Sequence, residues 1–116
     1  MESGCVFCKI VSGEIKADMV FDSENFIVIK DANPQTPGHS LVIPKKHCDT
    51  FLDLSEEYYK EFLLTTKSVI NNLMKEDGVE GFNLISNNYK IAGQIVPHLH
   101  LHIIPRRKKD GYSVGS

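Results

Sequence analysis

The sequence predicts an α+β fold: about five short strands in a mostly antiparallel sheet, one long helix, and a short N-terminal helix or turn. Three observations point there. Several short apolar runs are separated by turn residues, and only one segment has the length and 3.6-residue period of a long helix. That helix does not alternate with the strands, as a parallel βαβ arrangement requires. At 116 residues the chain suits one compact domain, and residues 1–116 read as such.

The elements follow in order. Val20-Phe21 and Asn25-Phe26-Ile27-Val28-Ile29 read as two strands joined at Asp22-Ser23-Glu24. Ala32 to Gly38 holds two prolines and a glycine and reads as a loop. His39 to Ile43 reads as a strand stopped by Pro44. The long helix starts near Asp53 or Ser55, with Glu56 and Glu57 in its first turn. Tyr59, Phe62, Leu63, Thr66, Val69, Ile70, Leu73 and Met74 form its mostly apolar stripe, and Gly78 sits where it could stop. Phe82 to Ser86 and His98 to Ile104 read as further strands, around a polar loop from Asn87 to Gly93. From about Arg106 the chain is polar and basic and is expected to be loosely held.

The composition narrows the class. Apolar residues make up 41% and charged residues 24%, enough to bury a core without covalent staples. The formal net charge is -2, so nothing in the bulk charge favours nucleic-acid or membrane binding, and neither is expected. No run is long and apolar enough to span a bilayer, and Met1-Glu2-Ser3-Gly4-Cys5 lacks the basic start and apolar stretch of a secretory leader. A cytoplasmic location is the resulting expectation. Three cysteines in a reducing compartment argue against a disulfide framework, which leaves the Cys5-x-x-Cys8 pair to be explained.

The chemistry concentrates in Pro97-His98-Leu99-His100-Leu101-His102-Ile103-Ile104-Pro105. On a strand, alternate side chains share a face, so the three histidines point one way and Leu99, Leu101 and Ile103 the other. Such an array is costly to bury unless each ring nitrogen has a partner. Three imidazoles suit a catalytic zinc, but neighbours about 6.6–6.8 Å apart along a straight strand converge poorly on one ion. The competing reading makes the central imidazole a nucleophile flanked by groups that fix its tautomer.

His98-Leu99-His100-Leu101-His102-Ile103-Ile104 resembles the H-φ-H-φ-H-φ-φ signature (φ an apolar residue) of the histidine triad superfamily of nucleotide hydrolases and transferases. Cys5 to Ile10, Gly38 to His47 and Asn87 to Arg106 also resemble family segments, in the family order, most like the small bacterial and archaeal branch. The resemblance implies that His100 attacks the α-phosphorus of a purine nucleotide, forms a transient nucleotidyl-histidine, and is freed by water. It implies that His102 contacts the phosphate, that Asn87 and Gln94 bind the α-phosphate or leaving group through their amides, and that His39 supports the triad's hydrogen bonds. Asp31 matches the carboxylate that binds the ribose, and Phe7, Ile10 and Ile29 match the base pocket. Gly93 is read as leaving room for a phosphate or as an ordinary turn glycine.

In the branch this chain resembles, the positions of Cys5, Cys8, His47 and His98 bind a structural zinc. Two thiolates and two imidazoles make a closed tetrahedral site, so no cofactor is expected to be required for catalysis. The family also implies a homodimer formed through the helix and a sheet edge. The chain departs from the pattern at Ile95, where many relatives carry a serine or threonine near the leaving group, and at Tyr89-Lys90, where the loop is often built with glycine.

The expected activity is a nucleotidyl hydrolase or transferase acting on nucleoside 5′-phosphoramidates or related mononucleotide conjugates. A dinucleoside polyphosphate hydrolase is the alternative enzyme. A nucleotide-binding regulator with little turnover is the non-enzymatic alternative, and Ile95 is the feature that favours it. A zinc module binding nucleic acid would need a basic face.

Overall fold

The computed structural model describes residues 4–114. The Met1-Glu2-Ser3 start, read above as lacking a secretory leader, lies outside them. The helices are α1 (Val6–Val11) and α2 (Tyr59–Leu73). The strands are β1 (Met19–Asp22), β2 (Phe26–Lys30), β3 (Ser40–Pro44), β4 (Gly81–Ile85) and β5 (Leu101–Arg106). All five join one sheet in the order β1-β2-β3-β5-β4, every neighbour antiparallel. The α+β architecture with one long helix and a short N-terminal helix is the one the sequence predicts.

The central strands are buried on both faces. Phe26 and Val28 of β2 meet Val42, Leu99, Ile103 and the Val69 and Leu73 side of α2. Ile27 and Ile29 meet Leu41, Ile43 and the α1 residues Phe7 and Cys8. The sheet is therefore the middle of three layers, which is why β2 reads as a continuous apolar run rather than an alternation. No helix of the described residues is long and apolar enough to cross a membrane.

Several boundaries differ from the sequence-based expectation. Strand β5 starts at Leu101 rather than His98 because the ladder with β3 ends at the Val42–Leu101 pair. Upstream, the Leu99 N–H goes to the Cys48 carbonyl and the His98 N–H to the Val96 carbonyl, so the first two triad histidines stand just outside the sheet. Strand β3 runs one residue later than expected, from Ser40 through Pro44. Leu99 and Ile103 enter the core as the alternation predicts, and Leu101 packs against it half-buried.

The helix starts at Tyr59, preceded by two 3₁₀ turns, Phe51–Asp53 and Glu56–Tyr58, on either side of Leu54 and Ser55. Thr50 caps the first of them in a reciprocal box with Asp53. The apolar stripe is only partly covered. Thr66, Val69 and Leu73 are buried, whereas Tyr59 and Leu63 are exposed. The segment from Arg106, expected to be loosely held, is tied back. The Arg106 guanidinium donates to Asp110, to Asn83 Oδ1 and to the Tyr112 carbonyl. Arg107 donates to the carbonyls of Asp77 and Pro37.

Candidate active site and thiol–imidazole cluster

The site lies where the approach to β5 crosses the ends of β2 and β3 beneath α1. A cleft of about 840 Å³ is lined there by Phe7, Ile10, Ile29, Asp31, Asn87, Gly93, His100 and His102, among others. The structure thus brings together most of the residues singled out in the sequence, with Asp31 just past the end of β2. His39 stands behind this wall, 3% exposed, and reaches the cleft through His102.

The hydrogen bonds fix which nitrogen of each imidazole carries the proton. His39 Nδ1 accepts the Gln35 backbone N–H at 3.0 Å, so the neutral ring carries its proton on Nε2. That Nε2–H donates to His102 Nδ1 at 2.9 Å, with Asp31 Oδ2 further off at 3.4 Å. His102 must then hold its own proton on Nε2. His100 Nδ1–H donates to the His98 carbonyl at 2.8 Å, which leaves Nε2 with a free lone pair. One ring is thereby set as a nucleophile and its neighbour as a donor, with their centroids 5.1 Å apart.

Burial holds these rings neutral. It lowers the His100 pKa below its ordinary 6.5, against the opposing pull of the His98 carbonyl and Asp31. His102 is pushed down to about 4 by burial and by the neighbouring His100 and His39, with Asp31 pulling the other way. Burial also lowers His39. The Phe7 ring meets His100 edge-on at 4.9 Å, closing the space around it with apolar surface.

The polar loop agrees with the turn-glycine reading at Gly93 and departs from expectation at Gln94. Gly93 has φ +94, and a Cβ there would stand 3.8 Å from the Asn87 amide. The backbone conformation, not crowding, is what favours glycine. The Gln94 side chain is turned away from the 840 Å³ cleft and braces its own loop. Its Oε1 accepts the Tyr89 N–H at 2.8 Å, and its Nε2 donates to the Asp49 carbonyl. Ile95 is 91% exposed on the rim.

Cys5, Cys8, His47 and His98 form a second group whose ligand atoms all lie within 4.8 Å of one another. Cys5 caps α1, so the C-x-x-C spacing is one helical turn that turns both sulfurs the same way. His98 Nε2–H donates to the Pro44 carbonyl and His47 Nε2–H to Asp49, leaving both Nδ1 lone pairs facing the sulfurs. Those Nδ1 atoms are 3.2 Å from Cys5 Sγ (His98), 3.2 Å from Cys8 Sγ (His47) and 3.6 Å from Cys8 Sγ (His98). Tetrahedral zinc with ordinary bond lengths needs S···N edges of roughly 3.6 Å, so the donor set fits that ion.

The sequence pattern of the HIT domain matches residues 12–109. The chain belongs to the HIT family. An uncharacterized HIT-like protein of Methanocaldococcus jannaschii is 41% identical over 107 residues, covering 92% of this chain and 82% of the relative. An adenosine 5′-monophosphoramidase of Schizosaccharomyces pombe is 38% identical, covering 96% of this chain and 81% of its own. Among solved structures, a HIT family protein from Bacillus anthracis superposes with a TM-score of 0.93 at 35% identity, over 100% of this chain and 83% of that one. A zinc-bound histidine triad family protein from Mycobacterium smegmatis gives 0.82 at 40% identity, over 95% and 80% of the two chains.

Three features of this HIT site had no signal in the sequence. They are the Gln35 N–H and the Pro44 carbonyl, which fix two tautomers, and the pairing of Asp49 with His47. All are backbone groups or ordinary surface residues until the fold brings them into reach.

Proposed function

We propose that the protein cleaves the α-phosphate bond of nucleoside 5′-phosphoramidates or related mononucleotide conjugates, releasing a nucleoside monophosphate. The observation that carries this reading is the unprotonated His100 Nε2, facing a cleft of nucleotide size with its other nitrogen committed to the His98 carbonyl. His100 Nε2 attacks phosphorus as the P–N bond breaks, and the departing amine takes a proton from solvent. Water then attacks the same phosphorus and gives up a proton to solvent, breaking the Nε2–P bond and restoring the neutral imidazole. The His102 Nε2–H supplies a hydrogen bond to the phosphoryl oxygens as their charge grows. Asp31 binds the ribose and Phe7, Ile10 and Ile29 take the base. Asn87 lies within reach of the phosphate, whereas Gln94 acts through the loop it braces.

Cys5, Cys8, His47 and His98 would hold a zinc ion, which supplies cross-linking of α1 to the sheet rather than an open position for chemistry. The protein is a homodimer through α2 and β4. Phe51, Tyr59, Leu63 and Leu84 leave an apolar hollow of about 430 Å³ exposed there, beside the open edge of β4.

The test is AMP release from adenosine 5′-phosphoramidate, with native protein beside His100→Asn. The native protein is expected to turn over and the variant to lose on the order of 10³-fold or more, both still binding AMP. Equal rates would sink the mechanism. A native protein that binds AMP without turnover would support the second reading, a nucleotide-binding regulator, which Ile95 favours by offering no donor near the leaving group.

A further inference from the structure

A second hollow, of about 740 Å³, opens off the cleft past Gly93 and Ile95, which line both. With the nucleoside in the cleft and phosphorus at His100, this hollow is the adjoining space for the group that departs. Its walls include Tyr89, Ile95 and Pro97 on the apolar side, with Asp49 and Asp53 as carboxylates and Lys90 as a cation. A polyphosphate tail would carry several negative charges past two carboxylates. A neutral or cationic apolar body would not meet that repulsion.

Tyr89 stands out in this wall. Its φ of 73° and ψ of 153° lie in a region that glycine enters freely and other residues only under strain. The loop holds it there from both sides. Gln94 Oε1 accepts the Tyr89 N–H, and the Gln94 N–H returns to the Tyr89 carbonyl at 3.2 Å. Tyr89 is 56% exposed, so burial in the core does not account for its presence. A strained backbone that presents an aromatic ring to an open hollow beside a reactive centre is a feature to be explained by what the ring touches.

We propose that Tyr89 is a specificity-determining residue whose ring forms the wall of a leaving-group subsite and selects substrates that lose a flat, apolar amine. This rests on the phosphoramidate reading above and names the half of the substrate that reading leaves open. An aromatic body stacks on or against the Tyr89 ring and covers Ile95, which otherwise stands in solvent. The bond-breaking step is unchanged; the subsite acts on which amine is held beside His100.

The experiment compares two adenosine phosphoramidates, one of 2-phenylethylamine and one of methylamine, amines of similar basicity that differ in their apolar body. The readout is the ratio of kcat/KM for the two, which cancels effects on the shared nucleotide half. The native protein favours the phenylethyl compound by about tenfold, the size of one good aromatic contact. Tyr89→Gly, which suits the local backbone, brings the ratio down by about tenfold, and Tyr89→Phe keeps it. A Tyr89→Gly ratio within about twofold of native overturns the subsite while leaving the phosphoramidate reading standing. Failure of the native protein to hydrolyse either compound overturns that reading, and the subsite with it.

Discussion

The triad is not three equivalent imidazoles but three different chemical objects made by different partners. His98 turns its lone pair to the cysteines, His100 turns one to the cleft, and His102 turns a proton there. A consequence for pH follows from the buried members that lie away from the thiol cluster. An imidazole held neutral by the fold binds fewer protons than in the unfolded chain, between its folded value, about 4 for His102, and its ordinary 6.5. Stability is therefore fully present above 6.5 and falls as pH drops through that window. His100, His39 and Asp31 are the titratable groups that face His102, and His39 shifts in the same direction. Thermal melts between pH 7 and 4 should show His102→Gln losing less of its stability than native. Parallel curves would show that His102 does not carry the effect.

At the scale of elements, α1 is six residues long, too short to hold its own shape in water. Its position rests on Phe7 and Cys8 in the second core cluster and on the four thiol and imidazole groups around Cys5. Phe7 then lines the 840 Å³ cleft, so what pins α1 also shapes the site. Stripping zinc with a chelator is expected to lower the melting temperature and to weaken AMP binding together, with both restored by adding zinc back. Cys8→Ser should reproduce the stripped state and resist rescue. A melting temperature indifferent to both treatments would remove zinc from the account of α1. Strand β5 and its approach are held more firmly: Leu99→Ala, just ahead of the strand, and Ile103→Ala within it, at positions 1% and 0% exposed, should each cost about 2–5 kcal/mol in denaturant unfolding.

For the whole molecule, the sheet has two open edges, and they differ. Strand β1 is exposed along its length, whereas β4 adjoins the apolar face of α2 that includes Tyr59 and Leu63. Thr66 Oγ1 is buried near this face without a hydrogen-bond partner among the described residues. A second copy of the chain covering the α2–β4 face would bury Leu63 and Leu84 and leave the His100 cleft, on the opposite side of the sheet, open. Light scattering should give the mass of two chains, and Leu84→Asp should shift it toward one. A native mass of one chain would end the dimer proposal.

Family resemblance, not pattern, put Asp31 beside the triad; local pattern alone set the α+β class, the positions of the strands and long helix to within a few residues, and the shared face of His100 and His102. These follow from local period, since alternation along Leu99–Ile103 and the stripe through Val69 and Leu73 are set by backbone geometry alone. Where β5 begins is set by long-range pairing, because it depends on where β3 stops bonding to it. The same holds for the tautomers: the groups that fix His98 and His102 lie 54 and 63 residues away in the chain. It holds again for Gln94, whose amide serves its own loop, and for Tyr89, whose strain exists only once that loop is closed. Periodicity tells which face a side chain takes; what it bonds to there is settled by segments remote in sequence.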